Sequence, residues 1–116
     1  MNFTYLSNGD DGFKLVYGTE DSFIVVDELG DWQADPGSGW DVAGVSSGTA
    51  NHTLVRKSSV QNGSSWSVSA GTTAEDSEWI AYDQDTWTYI GAHEIESAES
   101  ICTFTINLSD LSPIHI

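Results

Sequence analysis

Residues 51–94, NHTLVRKSSVQNGSSWSVSAGTTAEDSEWIAYDQDTWTYIGAHE, decide the fold and hold three of the five tryptophans and the adjacent pair Arg56-Lys57. The segment His52-Thr53-Leu54-Val55-Arg56-Lys57 is short, β-branched and bounded by polar turn residues, which predicts a strand. Beyond the loop Ser58 to Ser65, Trp66-Ser67-Val68-Ser69-Ala70 alternates apolar and polar residues at period two, the pattern of a half-buried strand. Glu78-Trp79-Ile80-Ala81-Tyr82-Asp83 and Thr86-Trp87-Thr88-Tyr89-Ile90-Gly91 then read as a hairpin joined by Gln84-Asp85.

Outward from this stretch the same texture continues. Phe3 to Leu6 and Phe13-Lys14-Leu15-Val16-Tyr17 flank the turn Ser7-Asn8-Gly9-Asp10-Asp11-Gly12, whose Asn-Gly and Asp-Gly dipeptides predict a hairpin. Ser22-Phe23-Ile24-Val25-Val26-Asp27 is a continuous apolar run and predicts a strand buried on both faces, central to the core. Glu28 to Gly39, rich in Gly, Pro and acids, reads as an irregular surface connection. Toward the C-terminus, Ile101 to Leu108 places Cys102, Phe104, Ile106 and Leu108 on one side and Thr103, Thr105 and Asn107 on the other, a further strand.

A chain of 116 residues suits one small domain. Eleven glycines, two prolines and thirteen aromatics point to a turn-rich all-β protein. Three cations against eighteen acids give a net charge of −15, which excludes nucleic acid as a partner. That balance suits a salt-rich setting, such as that of a marine bacterium, where screening shortens the reach of the repulsion; it equally fits a merely acidic soluble protein. Residues 42–74 contain no acid while each flank holds nine, so electrostatics favour laying the middle between the flanks. No signal peptide and no apolar run of membrane-spanning length is present, and the single cysteine, Cys102, allows no internal disulfide.

Gly39-Trp40-Asp41-Val42-Ala43-Gly44, Thr53-Leu54-Val55-Arg56-Lys57, Ser77-Glu78-Trp79 and Gly91-Ala92-His93-Glu94 occur in this order, after the turn Asn8-Gly9-Asp10-Asp11 and an aliphatic strand. In this combination the chain resembles the bacterial lamin-tail domain family across residues 7–94. The resemblance implies an immunoglobulin-like β-sandwich serving as an accessory module of secreted or surface proteins, often beside hydrolases, with no catalytic residues. It places residues 1–94 in the sandwich and 95–116 in a C-terminal extension with the extra strand 101–108. Trp40, Trp66, Trp79 and Trp87 fall at family-like strand positions, with Trp79, Trp87, Arg56 and Lys57 structural. Family members carry further strands before the Asn-Gly-Asp-Asp turn. The strand 101–108 is expected to fill that place, in its own chain or by exchange in a homodimer, unless the sequence is a fragment.

Candidate chemistry is sparse. Gly44-Val45-Ser46-Ser47-Gly48 matches the G-x-S-x-G pattern, with Asp41 and His52 nearby, but the nucleophile elbow needs a strand before, a helix after and a large α/β domain. No convergent acid, base and nucleophile is visible, so no enzyme is expected. Asp10 with Asp11, and Asp83 with Asp85, offer hard oxygens suited to Ca²⁺, although neither pair has EF-hand spacing and Asp is also a turn residue. His52, His93, His115 and Cys102 show no zinc spacing. Trp32, in the acidic connection, is the candidate for an exposed sugar-stacking face. The expectation is a non-catalytic interaction or anchoring module of a larger secreted or surface protein, whose partner is a protein or an extracellular surface component. The alternative is a Ca²⁺-dependent carbohydrate- or surface-binding module.

Overall fold

The architecture, from a computed structural model that describes residues 8–97, is all-β: two small antiparallel sheets and a single helical turn. Strands β1 (Phe13–Thr19) and β2 (Ser22–Leu29) form a hairpin closed by Glu20-Asp21. The Phe3–Leu6 segment expected to pair with β1 lies outside the described residues. In the register, Leu15 faces Asp27 and Val16 faces Val25, so Val26 is an additional residue on β2. This bulge shifts the alternation by one. Ile24 and Asp27, of opposite parity, therefore share a face with Phe13, Leu15, Tyr17 and Leu29.

The apolar run of β2 forms the expected strand but is not buried on both faces. Phe23, Ile24, Val25 and Val26 are 41–65% exposed. The reason is topological: the sheet has two strands, and nothing among the described residues covers its outer part.

The core sits in the chain's middle. Val42, Ala43, Trp66 and Ala70 are buried, with Leu29, Trp40, Leu54 and Trp79 packed around them. Val42 and Val45 exchange two backbone hydrogen bonds, of 3.1 and 2.9 Å, across Ala43 and Gly44. Both central residues have positive φ, 54° and 76°, as a tight two-residue hairpin turn requires. The turn is docked by Ala43 N–H donating to the carbonyl of Ala70 at 2.8 Å.

The second sheet pairs β3 (His52–Arg56) with β4 (Trp79–Asp83), His52 opposite Asp83 and Arg56 opposite Trp79. Two expectations fail around it. Trp66–Ser69 is a helical turn, α1, rather than a strand. A strand would have grouped Trp66, Val68 and Ala70. Here Trp66 and Ala70 are buried at helical spacing, while Val68 is 61% exposed. Thr86 to Gly91 likewise adds no strand to β4. The Thr86 hydroxyl donates to the carbonyl of Asp83 at 2.7 Å, and the chain folds back until the Tyr89 ring stacks on Tyr82 at 4.8 Å. A hydrogen bond with Tyr89 is also what raises the Tyr82 hydroxyl above its ordinary pKa.

The sheets are joined by charge. Arg56 donates two hydrogen bonds to Asp27, at 2.8 and 3.1 Å, and pairs with Glu78 at 3.0 Å. Its guanidinium lies over the Trp79 ring, 4.3 Å from the centroid. Arg56, in the acid-free middle stretch, thus pairs with one acid from each flank. Ser64 N–H also donates to Asp27, and Gly63 runs so close to β2 that a Cβ there would stand 2.1 Å from the Val26 carbonyl oxygen. Lys14, opposite Glu28, pairs with it at 3.0 Å. That bond, reinforced by the N–H of Trp66, lowers the Glu28 carboxyl below its usual range.

Candidate binding surface

The turn Asn8-Gly9-Asp10-Asp11-Gly12 organises an open polar surface. Gly9 is held against the chain's middle, with its carbonyl accepting from the Thr49 hydroxyl at 2.6 Å. The Thr49 hydroxyl in turn accepts from Trp40 N–H at 2.7 Å. Gly9 has φ of +106°, and a Cβ there would stand 2.6 Å from Ala50 Cα, so only glycine fits. Asn8, whose side chain donates to Asp10 at 3.1 Å, is thereby fixed between two clefts.

The first cleft, about 440 Å³, is lined by Asn8, Asp10, Asp11, Gly12, Trp32, Ala34 and Asp35. Trp32 is 64% exposed. Its loop is set from both sides: Asp31 accepts from Gln33 N–H at 2.9 Å, and Asp35 accepts from Gly37 N–H at 2.8 Å. These are Asx turns, a use of Asp that needs no ligand. The second cleft, about 500 Å³, is lined by Asn8, Gly9, Thr49, Asn51, His52, Thr53, Gln84, Asp85 and Trp87. Trp87 is 67% exposed. Asn51 and Asp85 both hold positive φ, 56° and 62°, where Asn and Asp are better tolerated than other side chains. His52 Nδ1 lies 2.8 Å from the carbonyl of Ala50, so it carries the proton and leaves Nε2 unprotonated in the neutral ring.

The residues singled out in the sequence divide between these clefts and the core. Trp32, Asp10 and Asp11 line the first cleft, and Asp85 lines the second. Asp83 lies at the end of β4. Among the described residues no three His, Cys, Asp or Glu side chains converge on one point. Arg56 and Trp79 form the joint between the sheets, and Lys57 Nζ donates to the carbonyls of Ala74 and Glu75 at 2.7 and 3.1 Å. Arg56 takes Asp27 and Glu78 as its two acids. Trp87 does not pack in a strand, because the strand expected to carry it does not form.

Gly44–Gly48 carries the tight turn and the bend after it, with no helix following. Asp41 accepts from Ser47 N–H at 2.8 Å, and His52 faces Ala50, so neither partner is directed at a serine hydroxyl. Cys102 and His115 lie outside the described residues. The side-by-side clefts sharing Asn8 were not legible in the sequence, since Asn8, Trp32 and Trp87 are far apart along it. No helix of the described residues is long and apolar enough to cross a membrane. Comparison with protein-family models, curated proteins and solved structures finds no match for this chain.

Proposed function

We propose that the chain is a non-catalytic binding module of the lamin-tail type, an immunoglobulin-like sandwich that anchors a larger secreted or surface protein to a neutral glycan. The observation that carries this reading is the pair of exposed tryptophans, Trp32 at 64% and Trp87 at 67%, lining adjoining clefts that meet at Asn8. An indole face offers a flat apolar platform for the C–H face of a sugar ring. Asn8, Asn51, Gln84 and the carboxylates around them supply acceptors for sugar hydroxyls. A net charge of −15 argues against anionic glycans as the target.

The test is affinity electrophoresis in gels containing soluble neutral polysaccharides (glucan, xylan, mannan), with alginate as the anionic control. At least one neutral polysaccharide should retard the chain, and alginate should not. Trp32→Ala and Trp87→Ala should each weaken retention roughly tenfold, the equivalent of about 1.4 kcal/mol. Retention should persist in EDTA, because the indoles carry it; loss in EDTA would favour the Ca²⁺-dependent alternative, with Asp10, Asp11 and Asp85 as oxygen donors. If no neutral polysaccharide retards the chain, or both variants are retained like the parent, glycan binding at these clefts is wrong.

A further inference from the structure

The sheet β3–β4 has two faces, and only one of them builds the core. Leu54 and Trp79 pack against the buried cluster. By alternation Val55, opposite Ile80, and Tyr82, opposite Thr53, point the other way. Beyond β4 the chain turns back over this outer face as a strap tied at both ends. The Thr86 hydroxyl holds its start to the carbonyl of Asp83. At its end Glu96 N–H donates to the carbonyl of Ser58 at 2.8 Å, and Gln61 donates to the Glu96 carbonyl at 2.9 Å. Between these ties Tyr89 stacks on Tyr82 with the rings 25° from parallel, and the two side chains are hydrogen-bonded.

A cleft of about 360 Å³ lies between strap and sheet, at the small end of the range for ligand sites. Val55 and Ile80 give it an apolar base, the tyrosine pair flanks it, and His93 and Glu94 line it from the strap. The strand expected over residues 101–108 lies outside the described residues, whereas every residue lining this cleft lies within them. The fixed charge on offer is negative. Arg56 also lines the cleft, but its guanidinium is held by Asp27 and Glu78. Lys14 is paired with Glu28, and Lys57 with two backbone carbonyls. That leaves the Glu94 carboxylate beside an aromatic pair, in a molecule of net charge −15.

An apolar base, tyrosine faces and a carboxylate together suit a cation that carries its charge beneath methyl groups. Such an ion has no N–H donors to strand against Val55 and Ile80, as an ammonium group would. Its charge is attracted by the negative faces of aromatic rings. A metal ion needs several converging ligands, and among the described residues no three His, Cys, Asp or Glu side chains converge. A phosphate attached to the cation, as in a lipid headgroup, would meet Glu94 and the repulsion of the whole acidic surface.

We infer that this cleft binds a free trimethylammonium compound of the choline class, with Tyr82 and Tyr89 against its methyl groups and Glu94 balancing its charge. Neither Trp32 nor Trp87 lines the cleft, so the inference does not rest on the glycan reading.

The test is a titration of the full chain with choline chloride, exchanged for sodium chloride at constant ionic strength and followed by methyl NMR. The Val55 and Ile80 signals should shift saturably, with a Kd in the millimolar range, while those of Val42 and Val68 stay in place. Dimethylbutanol, the neutral carbon isostere of choline, should bind roughly tenfold more weakly. Tyr89→Leu should weaken choline binding roughly three- to fivefold, and Glu94→Gln by a similar factor. Because Tyr89→Leu removes the stack that holds the strap, Glu94→Gln and the signals of the native chain decide the outcome if that variant unfolds. Absence of a saturable shift at Val55 and Ile80 overturns the inference. So does equal affinity for the neutral isostere, or choline affinity unchanged in Glu94→Gln and in folded Tyr89→Leu. Cosedimentation of the chain with phosphatidylcholine vesicles overturns the choice of a free ion and assigns the cleft to a lipid headgroup.

Discussion

At the scale of single residues, Asp76 shows how much an exposed acid can organise. Its carboxylate accepts from the N–H of Thr73 at 2.7 Å, the hydroxyl of Thr72 at 2.8 Å and the N–H of Thr72 at 2.8 Å. The Thr73 hydroxyl accepts in return from Asp76 N–H at 3.3 Å, a capping box closed over one turn. These bonds, led by the Thr73 N–H, lower its pKa from 3.8 to about 2. A depressed acid stabilises the fold above its unfolded pKa, and that contribution disappears as pH falls through the folded value. The stability gap between the parent and Asp76→Asn should therefore be constant above about pH 5 and shrink between 3.8 and about 2. Melting curves of both proteins across that range check it; a gap that does not change with pH contradicts the assignment. Thr73-Ala74-Glu75-Asp76 could have been read from the sequence as a cap, because threonine and an acid stand three apart. Ala43 could not: its positive φ belongs to a turn type that favours Asn or Gly there, and alanine gives no signal for it.

At the scale of elements, legibility followed the length of the pattern. β1 to β4 were readable because five to eight residues of β-branched and aromatic character fix a period. Trp66 to Ala70 is ambiguous in the sequence because five alternating residues also satisfy helical i, i+4 spacing, and packing against Ala43 decides between the two. Thr86 to Gly91 departs from its strand pattern because Tyr89 finds its partner by stacking on Tyr82, not by ladder pairing. The burial of β2 was overestimated because an apolar run reports what a strand could bury, not what the chain brings to it. Arg56 is expected from the sequence to be structural, but only the fold reveals that it joins two sheets. With 13% of its side chain exposed, against 30% for Asp27 and 25% for Glu78, this triad is screened only in part. Arg56→Gln leaves two acids facing each other without a cation. It should cost about 2–3 kcal/mol, below the 3–5 of a fully buried pair. Arg56→Lys should cost less, since it keeps the charge but loses the bidentate fork and much of the stacking on Trp79. Urea unfolding of the three proteins measures the order, and an Arg56→Gln cost under about 0.5 kcal/mol would place the joint elsewhere.

At the scale of the whole molecule, charge balance decides the response to salt. All three cations are committed: Lys14 to Glu28, Arg56 to Asp27 and Glu78, and Lys57 to two backbone carbonyls. The net −15 is therefore left as mutual repulsion, which folding concentrates and unfolding relieves. Two like charges about 10 Å apart repel by roughly 0.4 kcal/mol in water, and many such pairs exist on a small acidic surface. Salt acts on both signs of interaction, but unequally. The Arg56 joint is partly desolvated and loses little, whereas the exposed acids lose most of their repulsion as the Debye length falls from about 30 Å at 0.01 M to about 3 Å at 1 M. The melting temperature should rise with sodium chloride over that range. The rise should be larger still in Arg56→Gln, where one more repulsive pair is left to screen. Chloride is the anion to use, because sulfate strengthens apolar burial by itself and would mimic the effect. A melting temperature that falls with sodium chloride would mean that the joint between the sheets, rather than the acidic surface, dominates the electrostatics of this fold.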